Sequence, residues 1–258
     1  MRWIYISPHL DDAILSCGGL IWEQTHAGTQ VEIWTVCAGD PPEGPLSPFA
    51  EVLHAEWGTG VETTFLRREE DKAACRAVGA RHRHLSIPDC IYRSAQDGTW
   101  LYDPNTLMGE IHPADLPLVE TVRTFLAASL KPEDSLACPL TVGGHADHRL
   151  TRAAVEGLGR PLWYYADIPY LLDNASALET LTSGMQAEAS PRMVAQSATR
   201  ALSRAVRPVS EAGLRAWQES VAAYTSQIGM LFENPEKMRE MIQSYWQSNA
   251  GIQLWRAT

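Results

Sequence analysis

The chain has 258 residues, 45% of them apolar, and its 21 basic and 31 acidic side chains leave a net charge of -10. That length buries a substantial core and suits one α/β domain, alone or with a helical appendage. The acidic balance argues against a nucleic-acid backbone or an anionic membrane as the main partner, because the nearest thing to a basic stripe is the short Arg81-His82-Arg83-His84, read as a solvated helix-to-strand junction.

In chain order, Trp3 to Ser7 reads as a buried strand, Asp12 to His26 as a helix closed by Gly28, and Gln30 to Cys37 as a second strand rich in Val, Ile, Trp and Thr. A Pro/Gly-rich loop follows over Gly39 to Pro48, then a helix from Thr63 to Val78 stopped by Gly79, with the next strand expected over Leu85 to Ile87. Ser94 to Pro113 lacks periodicity and reads as a long loop of the kind that forms lids or binding elements. Leu116 to Leu130 is a predicted helix, Ser135 to Leu140 a strand, His148 to Leu158 a helix and Pro161 to Ile168 an aromatic strand.

The remainder is rich in Ala, Ser and Glu and is expected to be mainly helical. Leu214, Trp217, Val221, Tyr224, Ile228 and Leu231 recur at spacings of three and four, which places them on one helical face. Such a face packs on a core in the first instance and forms the seam of a homo-oligomer in the second. Asn234-Pro235 supplies an N-cap and N1 proline for a last helix. The expected architecture is a Rossmann-like, mostly parallel α/β sheet between helices, with residues 1–170 as the core and 171–258 as a helical extension packed on it within a single domain.

Five scattered cysteines without CxxC spacing indicate neither a disulfide framework nor a thiolate zinc site, and fit a reducing compartment. The N-terminal apolar run stops at His9, unlike a signal peptide, and no stretch approaches the roughly 18 apolar residues of a membrane span, so a cytoplasmic location is expected.

Two clusters carry the chemistry. His9, Asp11 and Asp12 follow the first strand, and His145, Asp147 and His148 follow the strand ending at Leu140. In open parallel sheets, ligands collect outside these carboxyl ends. A hydrolytic zinc site takes three protein nitrogen or oxygen ligands and keeps one position open. His9 and Asp12, three residues apart, together with one histidine of the second cluster would meet that need and leave Asp11 as a base. Taken alone, each cluster also fits helix capping by Asp11, Asp12 or Asp147. Its recurrence after two separate strands favours a site.

Pro8-His9-Leu10-Asp11-Asp12-Ala13 and His145-Ala146-Asp147-His148 resemble the two motifs of the LmbE-like and PIG-L family of zinc-dependent N-deacetylases, which read Pro-His-Pro-Asp-Asp-Glu and His-x-Asp-His. Weaker parts of the resemblance are Arg68-Glu69-Glu70-Asp71 and Tyr224-Thr225-Ser226-Gln227, so it spans most of the chain. It implies that His9, Asp12 and His148 bind zinc and that Asp11 is the general base. It further implies that His145 stabilises the oxyanion or protonates the leaving amine, and that Asp147 orients a histidine. Ala13 departs from the motif's glutamate, and Gly143 stands where some relatives carry a helpful tyrosine. Arg68, Asp167 and Tyr170 are candidates for substrate contact, while His54, His82, His84 and His112 lie outside both motifs and read as surface or loop residues.

The function implied is removal of the acetyl group from an N-acetylglucosamine-type sugar or conjugate, with an amino sugar as the small-molecule partner. Zn2+ is the expected cofactor, and Fe2+ or Co2+ suits the same ligand types. Two alternatives remain: another metal hydrolase such as a phosphoesterase, told apart by its product, and a sugar-binding protein that has lost turnover.

Overall fold

The computed structural model describes residues 1–60, 62–173, 178, 179, 181 and 202–257. Among the described residues, seven strands form one sheet: β1 (Arg2–Ser7), β2 (Gln30–Thr35), β3 (Arg81–His84), β4 (Ser135–Pro139), β5 (Leu162–Tyr165), β6 (Leu202–Pro208) and β7 (Gly251–Ala257). Their order is β3-β2-β1-β4-β5-β7-β6. The first five run parallel, and β7 pairs antiparallel with both β5 and β6. β1 is buried from Trp3 onward, as its unbroken apolar run requires of a strand covered on both faces.

Among the described residues the helices include α1 (Asp12–His26), α2 (Pro48–Glu56), α3 (Thr63–Ala77), α4 (Leu116–Ser129), α5 (Ala146–Glu156), the single turn α6 (Tyr170–Asp173), α7 (Glu211–Ala222), α8 (Thr225–Phe232) and α9 (Pro235–Asn249). The strand order reverses between β1 and β4, so the connections leaving these two neighbours diverge and open a crevice at their carboxyl ends. Both histidine motifs issue from those two ends. Among the described residues no helix is long and apolar enough to cross a membrane.

Four expectations are corrected. The loop ending at Pro48 runs into α2, whose Ser47 side chain accepts from Ala50 N and whose first residue is the proline, a start signal hidden among turn residues. The third strand is Arg81–His84 rather than Leu85–Ile87. It is charged because it is an edge strand, and Arg83 lays its guanidinium over Trp34 at 4.7 Å and Phe125 at 4.5 Å. The tail contributes two strands beside its helices, and the segment 182–201, expected to be helical, lies outside the described residues. The six-residue stripe spans two helices, broken where Tyr224 caps α8, although all of it but Leu231 is buried. The cap expected at Asn234 is present, accepting from Lys237 N at 2.8 Å.

Packing of the tail depends on two glycines within α1. A Cβ at Gly18 would lie 2.6 Å from Trp217 Cδ1, and one at Gly19 would lie 2.9 Å from Val209 Cγ1. Trp217 is fully buried, and its Nε1 donates to the carbonyls of Ile14 and Leu15 at 2.9 and 3.0 Å. The indole is therefore pinned on the helix that the glycines allow it to approach. Gly18→Ala raises helix propensity by ~1 kcal/mol, but overpacking against a fixed ring costs about 1–3 kcal/mol. The expected result is a lower urea midpoint with an unchanged slope.

Candidate functional site

β1 ends at Ser7, and the next four residues turn into α1. Ser7 Oγ donates to His9 O at 2.7 Å and accepts from Ala13 N at 3.1 Å. Asp11 occupies the N-cap position but makes no side-chain cap bond. A serine thus satisfies an amide that an aspartate would ordinarily take, and both aspartates are released into the crevice. Asp12 Oδ2 accepts from His9 N at 2.8 Å and lies 3.2 Å from His9 Nδ1.

β4 leads to a tight turn in which Thr141, Gly143 and Gly144 have φ of 66°, 88° and 78°. Gly143 is required twice over, since a Cβ there would also sit 2.9 Å from the Tyr170 ring. α5 begins at Ala146, two residues before the expected start, and His145 caps it by accepting from Asp147 N on Nδ1 at 3.2 Å. Capping by Asp147 is thereby overturned. Asp147 is fully buried, accepts from Cys90 N at 2.9 Å, lies 3.1 Å from His9 Nε2 and pairs with Arg93.

His148 sits between two carboxylates. Its Nδ1 lies 2.6 Å from Asp167 Oδ1, and its Nε2 lies 3.4 Å from Asp12 Oδ2. Asp167, read as a substrate contact, is wholly buried, and its second oxygen accepts from Val142 N at 2.9 Å. Both oxygens are thus engaged inside the fold, one of them on the His148 imidazole. The structure thus brings His9, Asp11, Asp12, His145, Asp147 and His148 together. Ring centroids of His9, His145 and His148 are 4.8, 5.3 and 5.1 Å apart, pair by pair.

The electrostatics follow from burial among unequal charges. Burial alone would keep His9 neutral, but Asp89, Asp12 and Asp147 override it and raise its pKa well above the ordinary imidazole value. For His148, Asp12 and Asp167 likewise outweigh burial and raise the pKa. Burial, then His9 and His148, push His145 far down, so it is a neutral ring that accepts on Nδ1 and carries its proton on Nε2. Burial and the neighbouring Asp12 raise Asp11 to about 6 against the opposing Arg67. Against the same burial, His148 and His9 hold Asp12 below the carboxylate range.

His148 Nε2 is buried without a hydrogen-bond partner. It faces Asp12 Oδ2, as does His9 Nδ1, so two imidazole nitrogens and one carboxylate oxygen converge where the surrounding carboxylates call for positive charge. Two imidazole nitrogens and a carboxylate oxygen are the donor types of four-coordinate zinc with one position open. The donor nitrogens of His9, His145 and His148 also lie within 4.8 Å of one another. Capping occupies one nitrogen of His145, however, and leaves Nε2 as a hydrogen-bond donor.

Arg68 does not enter this cluster. It donates to Ala38 O at 3.0 Å and Asp40 Oδ1 at 2.8 Å on the rim. Its neighbour Arg67 does enter, donating to Asp11 Oδ2 at 3.3 Å, approaching Asp89 Oδ2 at 4.0 Å and stacking on Trp57 at 4.8 Å. Successive helical residues point about 100° apart, so only one of the pair can face inward. The signal was the spacing of Arg67, Asp71 and Ala74/Cys75 on one face, all buried, with Phe65 and Leu66 left exposed. Asp89 and Arg93 were missed as well, for they lie in irregular chain without a motif. His54 and His84 are no free surface groups: His54 is buried with Nε2 2.6 Å from Tyr92 Oη, and His84 Nε2 lies 2.7 Å from Asp71 Oδ2.

A family model described as PIG-L, GlcNAc-PI de-N-acetylase, matches residues 4–158, from β1 through α5 and across both motifs. The chain belongs to the PIG-L family. Among its relatives, a 2'-N-acetylparomamine deacetylase from Streptomyces fradiae is 33% identical over 177 residues, covering 66% of this chain and 57% of the relative. The PIG-L chain therefore spans little more than half of that protein's length. The zinc-inhibited form of teicoplanin deacetylase shares the fold with a TM-score of 0.78 at 24% identity, covering 100% of this chain and 98% of its own. A deacetylase–teicoplanin complex from the teicoplanin biosynthesis pathway superimposes with a TM-score of 0.74 at 25% identity, covering 99% and 97%. Replacing Asp167 with asparagine in this PIG-L chain removes the charge behind His148. Competition with a chelator is expected to show divalent-ion affinity lowered about tenfold to a hundredfold, with Arg68→Gln unchanged.

Proposed function

We propose that this PIG-L family chain is a zinc-dependent N-deacetylase that hydrolyses the acetamido group of an N-acetylglucosamine-type sugar or conjugate to acetate and a free amine. The observation that carries the reading is the convergence of His9 Nδ1, Asp12 Oδ2 and the unpartnered His148 Nε2 beside an Asp11 that caps nothing. Relatives named for acetylparomamine and teicoplanin support the substrate class.

His9, Asp12 and His148 would hold the ion. When bound, zinc supplies the Lewis acidity an amide carbonyl needs and acidifies water toward a pKa of about 7. Asp11, poised at about 6 by burial beside Asp12, accepts the proton of the attacking water. Arg67 fixes the Asp11 carboxylate from the opposite side. His145, neutral, directs Nε2–H at the oxyanion of the tetrahedral intermediate and gives up no proton. Asp11 then returns its proton to the leaving nitrogen as the C–N bond breaks. Asp147 and Asp167 keep His9 and His148 in position throughout.

Assay of primary amine released from a panel of N-acetylglucosaminides by zinc-loaded protein tests the reading, and release of phosphate from esters with no amine would overturn it. Asp11→Asn is expected to keep the metal and lose about a hundredfold to ten-thousandfold in turnover. His9→Ala and Asp12→Ala lose the metal itself, measured by elemental analysis after gel filtration. Arg67→Gln removes a charged hydrogen bond worth about 1.5–3 kcal/mol, which is about tenfold to a hundredfold in turnover. Arg68→Gln is expected to fall far short of that.

A further inference from the structure

His9 presents its two ring nitrogens to two different donor sets. Nδ1 faces Asp12 and His148, whereas Nε2 faces Asp147 at 3.1 Å and Asp89 at 3.7 Å. A thiol joins this side of the crevice: donor atoms of His9, Cys37 and Asp147 all lie within 4.8 Å of one another, and all three residues are buried. Tetrahedral zinc with one sulfur places its donors roughly 3.3–3.6 Å apart, so modest side-chain adjustment closes this set on an ion. Asp147 Oδ1 stays with Arg93, and Oδ2 is the atom turned toward His9.

We propose that His9 Nε2, Cys37 Sγ and Asp147 Oδ2 form a second cation site, selective for thiophilic divalent ions, that inhibits the enzyme when filled. It rests on the reading above only in that His9 Nδ1 serves the first ion. The entering ion displaces the Cys37 thiol proton and the Nε2 proton of His9, both to solvent, with no change of oxidation state. Two positive charges enter and two leave, so the guanidinium of Arg93 faces no added net charge. His9 becomes a bridge between two ions, and Asp147 ceases to orient it by hydrogen bonding. Sulfur is what selects the ion, since Mg2+ and Ca2+ prefer oxygen donors while Zn2+ and Cd2+ accept thiolate.

Cd2+ is the probe, added to protein already carrying one equivalent of zinc. The first donor set contains no sulfur, so a thiolate-to-cadmium charge-transfer band in the ultraviolet reports cadmium at a cysteine and not in the first set, and the Cys37 variants separate Cys37 from Cys90, whose sulfur lies near His145 and Asp147. Binding is expected to produce that band, release about two protons per ion and lower turnover about tenfold, with Mg2+ doing none of these. Cys37→Ser is expected to lose the band, the proton release and the inhibition while keeping turnover at one equivalent of zinc, and Cys37→Ala serves if the serine variant fails to fold. Equal inhibition of wild type and variant, a band that survives in the variant, or no second binding event would each overturn the proposal. A band lost in Cys37→Ser from a protein that releases no amine would support this site and count against the deacetylase reading instead.

Discussion

Parallel pairing of β1 with β4 is the constraint on which the site depends. Trp3, Ile4 and Tyr5 stand opposite Ser135, Leu136 and Ala137, which sets the ends of the two strands side by side although more than a hundred residues of chain separate them. Nothing local brings His9 to His148. Because the order of strands reverses at this pair, their outgoing loops diverge and leave room for side chains rather than for another connection. The same pairing allows Tyr165, one strand further on, to donate its hydroxyl to Ile6 O at 2.8 Å and brace the end of β1.

Charge is then buried at this crevice on a scale a core does not ordinarily tolerate, and it is tolerated because each group is answered. Asp147, without solvent contact, meets Arg93, His9 and the amide of Cys90. Arg93 reaches on to Asp115 at 3.0 Å and lies under the Tyr102 ring at 5.5 Å. Arg67 is held by Asp11, Asp89 and Trp57. Removing one partner from such a set leaves a buried charge uncompensated, which is more damaging than the pair was favourable. These networks are better understood as fixing the positions of His9 and Asp11 than as sources of stability.

The tail participates through α3. Glu70 accepts from Thr225 Oγ1, Ser226 N and Ser226 Oγ at 2.6, 2.8 and 2.6 Å, and Asp71 accepts from the Tyr224 hydroxyl at 2.8 Å. The two weaker motifs are therefore halves of one latch, joining the start of α8 to the helix that carries Arg67. Their residue types answer to the amides and hydroxyls at a helix N-terminus and not to a substrate. Through α3, the position of Arg67 against Asp11 is coupled to the seating of the C-terminal helices.

Local patterning was enough to determine the elements that build the site. Buried strands announce themselves by unbroken apolar runs, α1 by its periodicity and its closing glycine, and the two clusters by their places between strand and helix. What sequence could not decide was direction: whether Arg67 or Arg68 faces inward, whether Asp167 meets a ligand or a histidine, and whether a serine or an aspartate caps α1. Nor could it place β7 between β5 and β6, or make a strand of Arg81–His84, since the arginine rests on Trp34 and Phe125 from other elements. Those choices depend on partners distant in sequence, and a side chain's role follows from the partner it meets. The sequence by itself determined which chemical groups were available and that they stood at strand ends. Only the tertiary structure decided which of them touch, because burial makes unpaired polar atoms costly and so favours the packing that pairs most of them.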